Sequence, residues 1–387
     1  MPIVYPYTQY SGIWTMQQAN AAISAGTWPV GYNTYSLYSW GNNVIGQLGL
    51  GNTTYYSSPK QVGSAYWRTG STCDVFAGAI RSDGTLWTWG SNNAGNLGLG
   101  NTTNYSSPKQ VGALTTWAKV FASRFSMLAT KTDGTLWSWG SGLQGRLGLG
   151  NTTNYSSPKQ VGALTTWLTI TGGGYAIGSA LAIKTDGTLW AWGYNINGQL
   201  GLGNTLTYSS PQQVGSLTNW LYVSGGYATY AIKTDGTLWA WGRGTRGQLG
   251  LGNSTNYSSP KQVGALTNWL KVTGGGYFGF AVAVKTDGTL WSWGSNNYGQ
   301  LGLGNTTSYN SPKQIGALTT WLNVIGGGYA YALAVKNDGT LWAWGTNGAG
   351  QLGLGNTTSY SSPVQVGALK TWSPVLSIGQ TNTLVLG

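Results

Sequence analysis

Seven side chains in this 387-residue chain carry a carboxylic acid, all of them aspartates; glutamate and histidine are absent. General acid–base catalysis draws mainly on those residue types, so their scarcity argues against a hydrolase or a carboxylate-rich metal site. Six of the seven recur at one position: Asp83, Asp133, Asp186, Asp235, Asp287 and Asp338, each followed by glycine. Asp-Gly supplies positive φ cheaply and marks a tight hairpin turn. Asp74 stands apart. No catalytic residue, metal ligand or cofactor site is assigned, and the inventory predicts that the protein is not an enzyme. The single Cys73 cannot form an internal disulfide and reads as a small buried residue.

Charge offers little more. Charged residues make up 7% of the chain, against roughly 25% in ordinary soluble domains. The net charge is +12, yet six cations stand two residues before a turn aspartate: Arg81, Lys131, Lys184, Lys233, Lys285 and Lys336. Those pairs are expected to cancel. The surplus lies in Lys60, Lys109, Lys159, Lys261 and Lys313, and in scattered arginines. A row of that kind reads as a solvated face, so nucleic-acid binding is not expected. No apolar stretch is long enough for a membrane span. The start, MPIVYPYTQYSG, lacks the pattern of a secretory signal.

The elements that must position these residues come from a repeat. Trp-Gly pairs begin at Trp40, Trp89, Trp139, Trp192, Trp241, Trp293 and Trp344, and a Gly-x-Leu-Gly-Leu-Gly-Asn run follows each. A fixed period of about fifty residues marks one supersecondary unit whose copies must pack on each other. In residues 270–316, alternation predicts strands over Leu270–Thr273, Phe280–Lys285, Thr289–Trp293 and Lys313–Ile315, with a turn at Thr286–Gly288. Four short strands per period read as one propeller blade. Trp291 and Trp293 share a strand face, and a small residue always stands between the two tryptophans. Of the 22 tryptophans, all but Trp14 and Trp28 are repeat-locked and assigned to the core. The glycine triplets at 172–174, 274–276 and 326–328 are read as backbone crowding toward a central axis. The Asn-Thr-Thr and Asn-Ser-Thr triplets at Asn52 and Asn253 are read as loop structure.

The ends are complementary. The last copy lacks its Asp-Gly-Thr-Leu-Trp strand, and the first, Tyr35–Trp40, is that strand without its preceding partner. Pairing of the two would complete a shared blade and remove exposed edges. The expected fold is all-β: a seven-bladed propeller of four-stranded blades over residues 33–387, with a short N-terminal segment over 1–32.

The run DGTLWSWGSNNYGQLGLGN at 287–305 resembles the repeat of the regulator of chromosome condensation family, and the likeness covers residues 33–387. The resemblance implies a seven-bladed propeller and says little of activity. Eukaryotic members include a guanine-nucleotide exchange factor bound to chromatin, and a bacterial member inhibits β-lactamases. This chain departs where the family carries histidine: GGGYAIGSALAI at 172–183 has none. No exchange-factor residue is carried over. The copies are unusually alike, which points to recent duplication.

Residues 10–29 lie outside the repeats. Thr15 and Gln18 form a capping-box pattern before a helix expected over 16–25. Trp14, Met16, Ile23 and Trp28 are the candidate anchor, because the segment resembles one found in tailed-bacteriophage structural proteins. A helix packed on the propeller's own side is the other reading. Within the repeats, the loop after Trp-Gly varies while the scaffold does not, and binding commonly resides on such loops. Arg146, Tyr194, Arg243, Arg246 and Tyr298 are the candidate binding residues.

The leading expectation is a non-enzymatic bacteriophage virion protein: a tail-fibre, host-attachment or capsid-decoration component. Its N-terminal segment would hold other virion proteins, and the propeller would meet a host surface receptor or glycan. The alternatives are an intracellular protein-interaction propeller, exchange-factor-like or inhibitor-like, and a glycan-binding lectin.

Overall fold

Alternating apolar positions bounded by glycine and Asp-Gly punctuation fold each repeat into an antiparallel sheet whose strand order follows the chain. A computed structural model describes residues 35–172, 178–369, 371–374 and 376–387. In one blade, Trp269–Gly275 pairs with Phe280–Lys285, which pairs with Leu290–Gly294, which pairs with Tyr309–Gln314. Seven such four-stranded sheets make the expected propeller. The outermost strand starts at Tyr309, earlier than the expected Lys313. A bulge between Ser292 and Gly294 lets Tyr309 pair with Gly294. The same strand holds Pro312, which an edge strand tolerates because its outer side needs no ladder donor. The expected N-terminal helix and the anchor residues Trp14, Met16, Ile23 and Trp28 lie outside the described residues.

The turn aspartates do more than reverse the chain. Gly288 has φ +75° and accommodates the turn; its N–H donates to the Lys285 carbonyl at 3.0 Å. Asp287 stays at negative φ and spends its carboxylate on the next residue. Its Oδ1 accepts from the Thr289 N–H at 2.9 Å and from Thr289 Oγ1 at 2.6 Å. Thr289 Oγ1 in turn accepts the Trp291 indole N–H at 2.8 Å. Asp83, Asp133, Asp186, Asp235 and Asp338 repeat this relay. The threonine hydroxyl is the main reason that Asp83, Asp133, Asp186, Asp235 and Asp287 stay below the usual carboxylate range.

The neighbouring cations do not bond these carboxylates. Lys285 Nζ lies 3.8 Å from the Trp291 ring centre, and Arg81, Lys131, Lys184, Lys233 and Lys336 stack likewise. Among the described residues the one ion pair within 4 Å is Arg124–Asp74, at 3.8 Å. The expected cancellation therefore holds in net charge, while the contact itself is cation–π.

Of the two tryptophans on the third strand, the second is the inter-blade bolt. Trp344 is fully buried, and its indole donates to the Gln300 carbonyl of the preceding blade at 3.0 Å. Trp40, Trp89, Trp139, Trp192, Trp241 and Trp293 do the same around the ring. Gly302 makes room for it: at φ +71°, an added Cβ would stand 2.8 Å from the Trp344 indole nitrogen. The innermost strands are stitched by hydroxyls. Ser71, Thr273 and Ser377 accept the backbone N–H of Ala122, Gly326 and Thr72 on neighbouring blades at 2.8–2.9 Å. Glycines and hydroxyls, including Gly226, Gly274, Gly326, Ser71 and Thr171, surround an axial cavity of about 100 Å³. That is the axial crowding expected of the glycine-rich segments.

Closure follows the complementary ends. Leu37–Gly41 pairs with Asn382–Leu386 on one side and Tyr56–Gln61 on the other, and Leu376–Ile378 completes the sheet innermost.

Candidate functional site

Two kinds of loop meet at one end of the ring. The hairpin between the two innermost strands opens there, and so does the long loop after Trp-Gly, because Phe280 and Gly294 are register partners. The Asp-Gly turns lie at the opposite end of the same strands. The long loop has a fixed frame. Asn296 Oδ1 accepts the Leu301 N–H at 2.9 Å, its Nδ2 donates to the Asn305 and Thr307 carbonyls, and Gln300 Oε1 accepts the Tyr298 N–H at 2.9 Å. Asn43, Asn92, Asn195 and Asn347 hold the equivalent leucine N–H. Side chains that vary between repeats are thus displayed on a rigid frame.

Aromatic and arginine side chains converge on this end. Phe278 is the hub: Tyr277, Tyr298 and Tyr329 meet it edge-to-face at 5.4, 5.2 and 5.4 Å. Tyr277, Tyr298 and Tyr329 are exposed by 44%, 48% and 39%. Arg246 lies 5.7 Å from the Tyr277 ring and donates from Nη1 to the Tyr277 carbonyl at 3.1 Å. Arg243 lies 5.4 Å from the Tyr227 ring, and its Nε donates to Thr245 Oγ1 at 3.0 Å. Burial pushes the Tyr227 phenol up, against the pull of Arg243; Tyr194, Tyr277 and Arg124 also lie within its electrostatic reach. Tyr194 is half-buried beside this group.

Of the residues expected to bind, Arg243, Arg246, Tyr194 and Tyr298 therefore share one surface. Arg146 is placed differently. It is 4% exposed, donates from Nε to the Leu143 carbonyl at 2.7 Å, and lies 5.0 Å from the Phe125 ring. Burial pulls its guanidinium down to about 10. It occupies the loop position held by Gln199, Gln248, Gln300 and Gln351 in other copies, with its carbonyl accepting the Trp192 bolt. Sequence reasoning passed over Tyr227, Tyr277, Phe278, Tyr329, Phe125 and Arg124. For Tyr227, Tyr277, Phe278 and Tyr329 a signal was present, because aromatics follow the glycine runs in GGYATY, GGGYFGF and GGGYAYA; Phe125 and Arg124 follow no such run.

Asp74 sits at the axial mouth. Gln380 donates to it from both its backbone and its side-chain nitrogen, the former at 2.7 Å, which ties the closing blade to its neighbour. Burial raises its carboxyl to about 7, against the opposing pull of Gln380 and Arg124. A raised folded-state pKa favours the protonated native form. The Asp74 contribution to stability is thus fully present below about 4, falls as pH rises toward 7, and is lost above it. With histidine and glutamate absent, Asp74 is the described side chain whose raised value lies in this window, while Lys271, which burial lowers to about 8, acts in the opposite sense above it. Thermal midpoints should fall between pH 5 and about 7 in the native chain, and Asp74→Asn should flatten the profile. Cys73 beside it is buried, and burial first, then Asp74, pushes its thiol up to about 12.

Among the described residues no three His, Cys, Asp or Glu side chains gather as a metal site, and no helix is long and apolar enough to cross a membrane.

The fold and this loop-bearing face define a seven-bladed propeller that displays variable loops on an invariant frame. The regulator of chromosome condensation repeat matches seven times, at residues 36–79, 83–129, 133–176, 186–231, 235–282, 287–334 and 338–386. The chain belongs to that family. It is 32% identical over 190 residues to the ultraviolet-B receptor UVR8 of Arabidopsis thaliana, which covers 48% of this chain and 43% of the receptor. It is 42% identical over 88 residues to mouse protein RCC2, 22% of this chain and 17% of that protein. A match to the human probable E3 ubiquitin-protein ligase HERC3 is 38% identical over 108 residues, 27% of this chain and 10% of the ligase. The chain thus spans less than half the length of the curated relatives it matches. In fold it is similar to human WBSCR16, with a TM-score of 0.81 at 20% identity over 92% of this chain and 99% of that one. Yeast Prp20p gives 0.80 at 18%, over 92% and 91%.

These findings correct the expected function and location. The relatives are plant and animal proteins, among them a light receptor and a probable ligase, and the yeast and human neighbours share the fold. A bacteriophage virion component, its virion partners and a place in a particle are set aside.

Proposed function

We propose that this chain is a non-enzymatic protein-interaction propeller that works inside the cell and holds a partner on the arginine–aromatic face. The observation that carries this reading is the contiguous cluster of Tyr277, Phe278, Tyr298 and Tyr329 with Arg243 and Arg246. Exposed aromatics and arginines on a rigid support are the side chains that dominate protein–protein binding energy. The family supplies the second support: the solved Prp20p structure is described with its binding to Gsp1p and histones. Which partner this chain takes is a separate matter from those names.

The test uses the full chain as bait in an extract of its own cells. Tyr277→Ser with Tyr298→Ser should remove the captured partner while leaving the melting temperature within a few degrees, because both side chains are exposed. Leu164→Ser with Leu266→Ser, on exposed connections at the opposite end, should leave capture intact. Loss in the leucine variant and retention in the tyrosine variant would reverse the assignment of faces.

A further inference from the structure

We infer that the arginine–aromatic face takes a carboxylate-rich protein segment, an extended stretch of Asp or Glu interleaved with aromatic or aliphatic residues. This rests on the reading of that face as the binding surface. The first support is the separation of charge. Six aspartates are committed to the Asp-Gly turns at the far end, where each bonds its own threonine. Five lysines ride on the outermost strands, within 5.3–5.7 Å of a tyrosine ring on the same strand. Six more cations stack on tryptophan beside the turns. At the loop end, among the described residues, Arg124, Arg146, Arg243 and Arg246 stand against the Asp74 carboxyl.

The second support is which arginines are committed. Arg124 faces Asp74 at 3.8 Å, and Arg146 is buried. Arg243 and Arg246 have no carboxylate within 4 Å among the described residues, and both flank tyrosine rings. Each guanidinium is anchored by one hydrogen bond, Arg243 to Thr245 and Arg246 to the Tyr277 carbonyl, which leaves its remaining donors to pair with a carboxylate. Ring edges carry partial positive charge and add to the attraction for an anion.

The chemistry also decides between occupants. A second copy meeting this face with its own loop end would bring the same arginines against Asp74 alone, so like charges would oppose it. Single-stranded nucleic acid needs a row of phosphate contacts and open ring faces for stacking. Here two arginines stand without a carboxylate partner among the described residues, and Phe278 is packed edge-to-face with three tyrosines at interplanar angles of 64–84°.

The experiment titrates the full chain into a fluorescein-labelled peptide that alternates Glu and Tyr and follows anisotropy. The Glu peptide should bind, should weaken as salt is raised, and should bind about tenfold more tightly than the same peptide with Gln for Glu. Arg243→Ala with Arg246→Ala should bring the Glu peptide down to the Gln level; Lys159→Ala, on an outermost strand, should leave it unchanged. Equal binding of Glu and Gln peptides, indifference to the arginine pair, or tighter binding of oligothymidylate would overturn the inference. If the tyrosine variant loses its captured partner while the two peptides bind equally, the binding face stands and its carboxylate preference falls.

Discussion

A chain truncated at Gly379 should not fold cooperatively. The truncation removes Asn382–Leu386, which pairs with Leu37–Gly41 along its whole length. It strips Leu384, Val385 and Leu386 from the interior, where each is at most 2% exposed. Burying three such side chains contributes roughly 5–9 kcal/mol. The net stability of a domain is about 5–15 kcal/mol. The truncation also leaves Leu37–Gly41 with one unpaired edge and releases Leu376–Ile378 from its only partner in the sheet. Near-ultraviolet circular dichroism should show no sigmoidal melt, and size exclusion should show an expanded or aggregated chain. A truncated protein that melts cooperatively near the native temperature would mean that the shared blade is dispensable.

Trp344→Ala should cost about 3–5 kcal/mol, as expected for emptying a fully buried tryptophan site. The indole sits between two blades among Phe280, Val282, Leu301 and Trp321, and its N–H satisfies the Gln300 carbonyl. Trp342 is two residues away on the same strand face, but half-buried, with Lys336 Nζ stacked 3.8 Å from its ring. Its removal opens toward solvent, and the lysine stem can settle into the space, so Trp342→Ala should cost about half as much or less. Urea denaturation of the two variants gives the comparison directly. Equal losses would mean that the second tryptophan is not the bolt between blades.

These two cases show what the chain made legible. The strand alternation, the Asp-Gly turns and the converse defects at the two ends are local patterns repeated seven times, and they specify blade, ring and closure. The half-buried and buried tryptophans look alike in sequence; only the position of the preceding blade distinguishes Trp342 from Trp344. The binding face was half legible for a related reason. Variation in the long loops pointed to Arg243, Arg246 and Tyr298. Phe278 went unremarked because it becomes a hub only when its own blade brings Tyr298 to it and the next blade brings Tyr329. Arg146 varies like a surface residue, yet its backbone position is fixed by the Trp192 hydrogen bond and its side chain is turned inward over Phe125. The N-terminal stretch offered a few apolar residues at helical spacing, a pattern shared by many unrelated segments, and its implied particle gave way to the cellular relatives of the repeats.

Hydrogen–deuterium exchange of the full chain, alone and with its captured partner, bears most directly on the claim that the arginine–aromatic face does the binding. New protection should appear at residues 225–227, 243–246, 276–279, 295–298 and 328–330, with the Asp-Gly turns unchanged. Protection confined to those turns and to the Leu114, Leu164 and Leu266 connections would place the partner on the opposite end and contradict the account.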